Sequence, residues 1–249
     1  MTPSLHIHPD GVATIRLNRP QHLNRLHRED LLVLSRHFDT VQSDPALRTL
    51  VLTGEGRAFC AGFNLDELEG DSDPHVFERV VDALEALPLP TIARLNGSVY
   101  GGATDLALAF DFRVGVQGME LRMPAASLGL HYYPNGLRRY VTRLGVGAAK
   151  RLFLLAEAVD SAELLRLGYL SACVAPEALD AEVARIAGRL AANAPLAVRG
   201  MKQSLDEIAR GEMHLSLLEE RAARCAASAD LREGMAAFAE RRAPSFQGR

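Results

Sequence analysis

Tryptophan is absent from the 249 residues, and lysine occurs only at Lys150 and Lys202. Twenty-six of the 28 cationic side chains are therefore arginine. A cationic site here is an arginine site, and Schiff-base chemistry has two candidate lysines at most. The three cysteines, Cys60, Cys173 and Cys225, lie far apart. They make no zinc or redox spacing and suit a reducing compartment. No run approaches the ~18 uncharged apolar residues of a membrane span; even residues 103–110 are interrupted by Asp105. The N-terminal residues lack the basic and apolar regions of a signal peptide. There is no block of like charge, and the net charge is -3. Neither a nucleic-acid surface nor a polybasic membrane patch is expected from such a distribution. Neither GxxxxGK[ST] nor GxGxxG after a strand occurs, which leaves no nucleotide motif. The expectation is a soluble, cytoplasmic protein without a nucleic-acid or membrane partner.

What is present is apolar mass and alternating structure. Hydrophobic residues make up 48% of the chain, enough for one sizeable core. A hairpin is expected over residues 5–8 and 12–17 around the turn Pro9-Asp10-Gly11. Leu31, Leu34, Phe38 and Val41 share one face of a helix over residues 28–42. A short strand over 47–53 leads into a loop at 59–63, and a second amphipathic helix covers 75–86. A strand at 91–95 precedes a helix that runs to about residue 110, and strands follow at 113–116 and 121–123. This alternation is the pattern of an α/β fold. Helices are expected at 148–156 and 161–167, a short β link at 171–175, and four amphipathic stripes through the remainder.

Two strand ends carry glycine-rich turns, Gly54 to Phe63 and Asn96 to Gly102. The second opens a helix, whose first N–H groups lack intrahelical partners. Converging N–H groups from two such turns stabilise an oxyanion; close packing of the two turns is the plain alternative. Asp105 lies in the first turn of an otherwise apolar helix. It reads either as a desolvated general acid or base, or as an acid favoured by the helix dipole. His131, Tyr132 and Tyr133 form a polar aromatic cluster in a loop between Gly129 and Gly136, either a pocket wall or a packed turn. His6 and His8 alternate on a strand, but no third ligand is near, so no metal site is expected.

Five pieces then resemble the crotonase superfamily, the enoyl-CoA hydratases and isomerases. They are Asn18-Arg19-Pro20 with Asn24, Ala58-Phe59-Cys60-Ala61-Gly62-Phe63, Asn96-Gly97 through Gly101-Gly102-Ala103, residues 124–136, and Leu231 to Phe238. The resemblance implies an α/β spiral of ββα turns over residues 1–190. It also implies a helical region over 191–249 that builds a homotrimer or homohexamer. It implies a coenzyme A thioester as substrate and no permanently bound cofactor. The N–H groups of Phe63 and Gly102 would form the oxyanion hole. His22, Leu23, Ala61, Asn64 and Leu65 would hold coenzyme A, and Phe238 and Arg241 would reach the coenzyme A of a neighbouring subunit.

Family hydratases use two glutamates. The first position falls on Asp105 and the second on Ala125, which transfers no proton. Many family isomerases rely on that second position alone. Three readings stay open: Asp105 as lone acid/base, with a water or with Tyr132 or Tyr133; decarboxylation using Tyr132; or acyl-CoA binding without catalysis.

Overall fold

A computed structural model describes residues 1–67 and 73–249. Strands β1 (Ser4–Ile7) and β2 (Val12–Leu17) form the expected hairpin, with Ser4 opposite Arg16 and Ile7 opposite Ala13. Helix α1 (Arg28–Ser43) buries the predicted face, Leu31, Leu34, Phe38 and Val41. Its first turn is fixed by a capping box between His27 and Asp30. Strand β3 (Thr49–Gly54) is buried along its whole length, because sheet neighbours flank it and helices cover it.

From there the chain winds between two sheets. β3 joins the first sheet and β4 (Ala58–Cys60) the second. After helix α2 (Val76–Glu85), β5 (Thr91–Leu95) returns to the first sheet and β6 (Ser98–Tyr100) to the second. After helix α3 (Gly102–Leu108), β7 (Phe112–Val116) and β8 (Glu120–Arg122) repeat the step. Each turn therefore adds one strand to each sheet in parallel register, which is a ββα spiral. The 59–63 segment was expected to be all loop; its first residues instead pair with β6, as β4. The strand is too short to show an alternating pattern in the sequence.

Helix α4 (Pro134–Lys150) is the main departure from expectation. Pro134-Asn135-Gly136 reads as a turn, yet proline fits the first helical position, where its missing N–H is not needed. Gly145, at φ 81, kinks this helix, and one π-helical turn continues it over Arg151–Leu155, where an ordinary helix was expected. Beyond it lie β9 (Val159–Asp160), α5 (Ser161–Arg166), β10 (Ala172–Val174) and α6 (Leu179–Ala191). β9 completes the four-stranded sheet, and β10 closes the six-stranded sheet beside β7.

Helices α7 (Pro195–Arg210), α8 (Leu215–Ala226) and α9 (Ala229–Glu240) follow. They leave Met201, Leu205, Leu215, Met235 and Phe238 exposed, the last at 88%. No helix among the described residues is long and apolar enough to cross a membrane.

Candidate active site

The two glycine turns meet. Gly62 has φ 91, and a Cβ there would lie 2.7 Å from the Tyr100 carbonyl oxygen and 3.0 Å from the Gly102 nitrogen. Only glycine allows that approach and that backbone angle together. Two asparagine side chains, Asn24 buried and Asn96 half-buried, brace the strand ends. Asn24 Nδ2 donates to the carbonyls of Glu55 (2.8 Å) and Ala58 (2.9 Å). Asn96 Nδ2 donates to the Gly56 carbonyl (2.8 Å), while its Oδ1 accepts from the Gly54 N–H (3.0 Å). These contacts give the sequence's NRP…N and NG elements a local physical reason.

The braced turns open on a cavity of about 320 Å³. Phe63, Phe77, Met123, Leu128, Leu130 and Tyr133 are among its apolar lining. Gly102 borders it beside Phe63. Leu26 N–H donates to Gly62 O and Asn64 N–H to Leu26 O, so the Phe63 N–H points away from that pairing. Among the described residues, neither the Phe63 nor the Gly102 N–H has a hydrogen-bond partner. Two neighbouring, unspent donors at the edge of an apolar cavity are the requirement for oxyanion stabilisation.

Asp105 lies behind this wall rather than in it. Its carboxylate is fully buried and is absent from the cavity lining. The sequence suggested a carboxylate among aliphatic side chains, but the fold adds partners that sequence distance concealed. Arg139, on α4, donates through Nη1 to both carboxylate oxygens at 3.2 and 3.1 Å. The Tyr133 hydroxyl donates to Oδ2. Burial raises the Asp105 pKa above its ordinary value, with Arg139 and the Tyr133 hydroxyl opposing part of the rise. Burial and the nearby Asp105 charge raise both tyrosine hydroxyls well above their ordinary range.

Tyr132 stacks on Tyr133 with ring centres 4.4 Å apart and planes at 27°. Its hydroxyl is buried and unpaired among the described residues. Gly136 makes room for the pair, since a Cβ there would lie 3.0 Å from the Tyr133 ring. Ala125 also lines the cavity, so the wall presents a methyl group at the position the sequence resemblance aligned with a second glutamate. Cys60 offers no nucleophile: burial pushes its thiol up to about 12, and Sγ donates to the Asn24 carbonyl.

The other sequence-selected residues divide between two places. Ala61 and Leu65 line the cavity. Leu23 lies beside them, its carbonyl accepting from the Ala61 N–H at 2.8 Å. His22 is exposed on the same turn. Asn64 is buried, its side chain donates to Glu67 and its N–H to the Leu26 carbonyl. Phe238 instead lines a separate apolar groove of about 520 Å³ between the C-terminal helices, and Arg241 caps α9 in the left-handed conformation. Within one chain, neither belongs to the cavity lining. Sequence reasoning missed Phe77, Asp82, Glu85 and Arg139. The available signal was weak: two acids interrupt the apolar face of α2, and an arginine pair opens α4.

A family model for enoyl-CoA hydratase/isomerase matches residues 8–249. The chain belongs to that family. It is similar to the crotonyl-CoA hydratase of Syntrophomonas wolfei, with 32% identity over 246 residues and 95% of each chain covered. It is also 30% identical over 249 residues to the 2,3-dehydroadipyl-CoA hydratase of Escherichia coli, with 96% of each covered. Among solved structures, an enoyl-CoA hydratase from Bacillus anthracis superposes with TM-score 0.92 at 28% identity, covering 100% of both chains. An enoyl-CoA hydratase subunit from Geobacillus kaustophilus gives TM-score 0.90 at 31% identity, covering 100% of this chain and 99% of the other. The protein is thus an enzyme of the enoyl-CoA hydratase/isomerase family acting on an acyl-CoA, with the crotonase fold.

Proposed function

We propose that this enoyl-CoA hydratase/isomerase-family enzyme moves a proton on its acyl-CoA thioester through an enolate. The N–H groups of Phe63 and Gly102 hold the thioester oxygen, and Tyr133 with Asp105 carries the proton. The observation supporting this assignment is the position of Tyr133, which borders the cavity while its hydroxyl donates to the buried Asp105. In the forward step the Cα–H bond breaks and its electron pair passes into the enolate. The proton goes to Tyr133 Oη as the hydroxyl's own proton passes to Asp105 Oδ2. Returning a proton to another carbon completes an isomerisation, and the two residues recover their starting states. With Ala125 in the wall, that position offers no carboxylate either to activate a water or to serve as an isomerase base, so in this reading proton transfer rests on Tyr133 and Asp105.

Coenzyme A is held in this reading by His22, Leu23, Ala61, Asn64 and Leu65, largely through backbone. The exposed apolar surface of α7–α9 supports assembly into a homotrimer or homohexamer, with Phe238 and Arg241 directed to a neighbour's coenzyme A.

Titration with acetoacetyl-CoA tests the ligand: heat of binding is expected, and none, beside a family enzyme as control, would refute the thioester assignment. Exchange of the substrate α-proton in D2O tests the chemistry. It should be present in the wild type and fall roughly 10²–10⁴-fold in Asp105→Asn. Release of CO2 from malonyl-CoA that disappears in Tyr132→Phe would replace this reading with decarboxylation. Binding without turnover of any thioester would replace it with a binding role.

A further inference from the structure

Arg139 has no exposed side-chain surface and sits between three carboxylates. Besides Asp105, its Nη2 donates to Asp82 at 2.7 Å. Its Nε lies 3.2 Å from Glu85 Oε1, close enough for charge attraction but not aligned as a hydrogen bond. Glu85 also takes charge from Arg138 and, at 3.4 Å, from Arg143. Three arginines on α4 thus face Asp82 and Glu85 of α2 and Asp105 of α3. Arg143 also lies 3.9 Å from Asp206 on α7. The balance matters because an unpaired buried charge is far more costly than a paired one.

The Glu85 charge also bears on Asp105 and raises it, and the remaining titratable neighbours of Asp105 are phenols. Tyr140 directs its hydroxyl to Thr104 Oγ1 and Tyr169 to the Thr104 carbonyl, away from the carboxylate. The Tyr132 hydroxyl has no hydrogen-bond partner among the described residues. Arg139 is therefore the one cation hydrogen-bonded to Asp105 among the described residues. It is also tied to Asp82, whose side chain is 32% exposed. A connected line runs from Asp82 through Arg139 and Asp105 to Tyr133 and the cavity.

We propose that Arg139 is a positioning residue that sets the proton affinity of Asp105, and that Asp82 tempers it from the far side. Arg139 never touches the substrate; it acts by holding Asp105 ionised and aimed at the Tyr133 hydroxyl. The inference rests on the proton-transfer role proposed for Asp105 and Tyr133. An opposite charge at this range lowers a carboxyl pKa by about 1–3 units. Removing the Arg139 charge thus raises the pH at which Asp105 becomes a base. Removing the Asp82 charge leaves Arg139 less neutralised and lowers that pH.

The test is the pH profile of α-proton exchange in D2O with acetoacetyl-CoA, measured on intact protein, with thermal melting as a control of folding. In Arg139→Gln the ascending limb should move up by about one pH unit or more, a tenfold loss on its acid side. Arg139→Lys should return it towards wild type, and Asp82→Asn should move it down. A structural role alone would lower the amplitude and leave the midpoint in place. An unmoved limb in Arg139→Gln overturns the proposal; should that variant fail to fold, an unmoved or raised limb in Asp82→Asn does so. Absence of exchange in the wild type is a separate result, which overturns the enolate reading and this inference with it.

Discussion

Tyr133 and Asp105 stand in series. The tyrosine forms part of the cavity wall and donates its hydroxyl to a carboxylate that has no surface of its own. A buried carboxylate by itself would be a base that no substrate reaches. A tyrosine by itself would be a phenol too weakly acidic to exchange protons at neutral pH, the more so because burial raises its pKa. Joined by one hydrogen bond, they would carry basicity from Asp105 to the cavity in the proposed reaction. That relationship yields the first prediction. Tyr133→Phe should lose proton exchange roughly 10²–10⁴-fold, as should Asp105→Asn, while thioester affinity stays within about tenfold. Because the two act as a unit, the double variant should be little worse than either single one. Additive losses would show that they work independently.

Charge balance around Arg139 leads to a stability prediction. Asp105→Leu strands part of a fully buried guanidinium and should destabilise the fold by about 3–5 kcal/mol. Asp105→Asn keeps hydrogen-bonding capacity and should cost less. Urea unfolding of the two variants decides the order.

The oxyanion turn is steric as well as polar. A Cβ at residue 102 would lie 2.9 Å from the Phe77 ring. Gly102→Ala should displace the turn and lower turnover roughly 10²–10³-fold, the scale of one lost oxyanion donor. Phe77→Leu in the same chain should restore part of it by removing the ring edge. If restoration is absent, the turn is sensitive for another reason.

Acid stability follows from Glu85. Burial alone would raise this carboxyl, but Arg139, Arg143 and Arg138 overcome that and hold it below its ordinary value. A depressed carboxyl contributes stability above its unfolded pKa, about 4.3, and loses it as pH falls through the folded value. Asp105 is raised and runs the other way: its contribution is full below the ordinary aspartate range and is lost as pH rises through the folded value. Glu85→Gln should therefore melt lower at neutral pH, and its melting temperature should fall less steeply in acid than that of the wild type. Parallel curves would remove Glu85 as the source.

Assembly is tested on α9. Phe238 and Met235 are 88% and 68% exposed and border the apolar groove of the C-terminal helices. Phe238→Asp should shift the sedimenting species from trimer or hexamer towards monomer. An unchanged distribution would place the contacts elsewhere.

The sequence was informative where the physics is local or the spacing repeats. The hairpin around Pro9-Asp10-Gly11, the buried stripe of α1 and the two glycine turns all follow from the order of residues within one segment. Helix α4 was less legible, because Pro134-Asn135-Gly136 has the composition of a turn, and only its context makes it a helix start.

Sequence alone also determined that residue 125 is an alanine and that cationic work falls to arginine. It could not decide what surrounds Asp105. Arg139 is 34 residues away along the chain, Tyr133 is 28, and Asp82 lies on the preceding helix. Their meeting depends on the spiral placing α2, α3 and α4 side by side. Desolvation and charge balance arise only from that packing, so the carboxylate's identity was fixed by sequence and its chemistry by the fold.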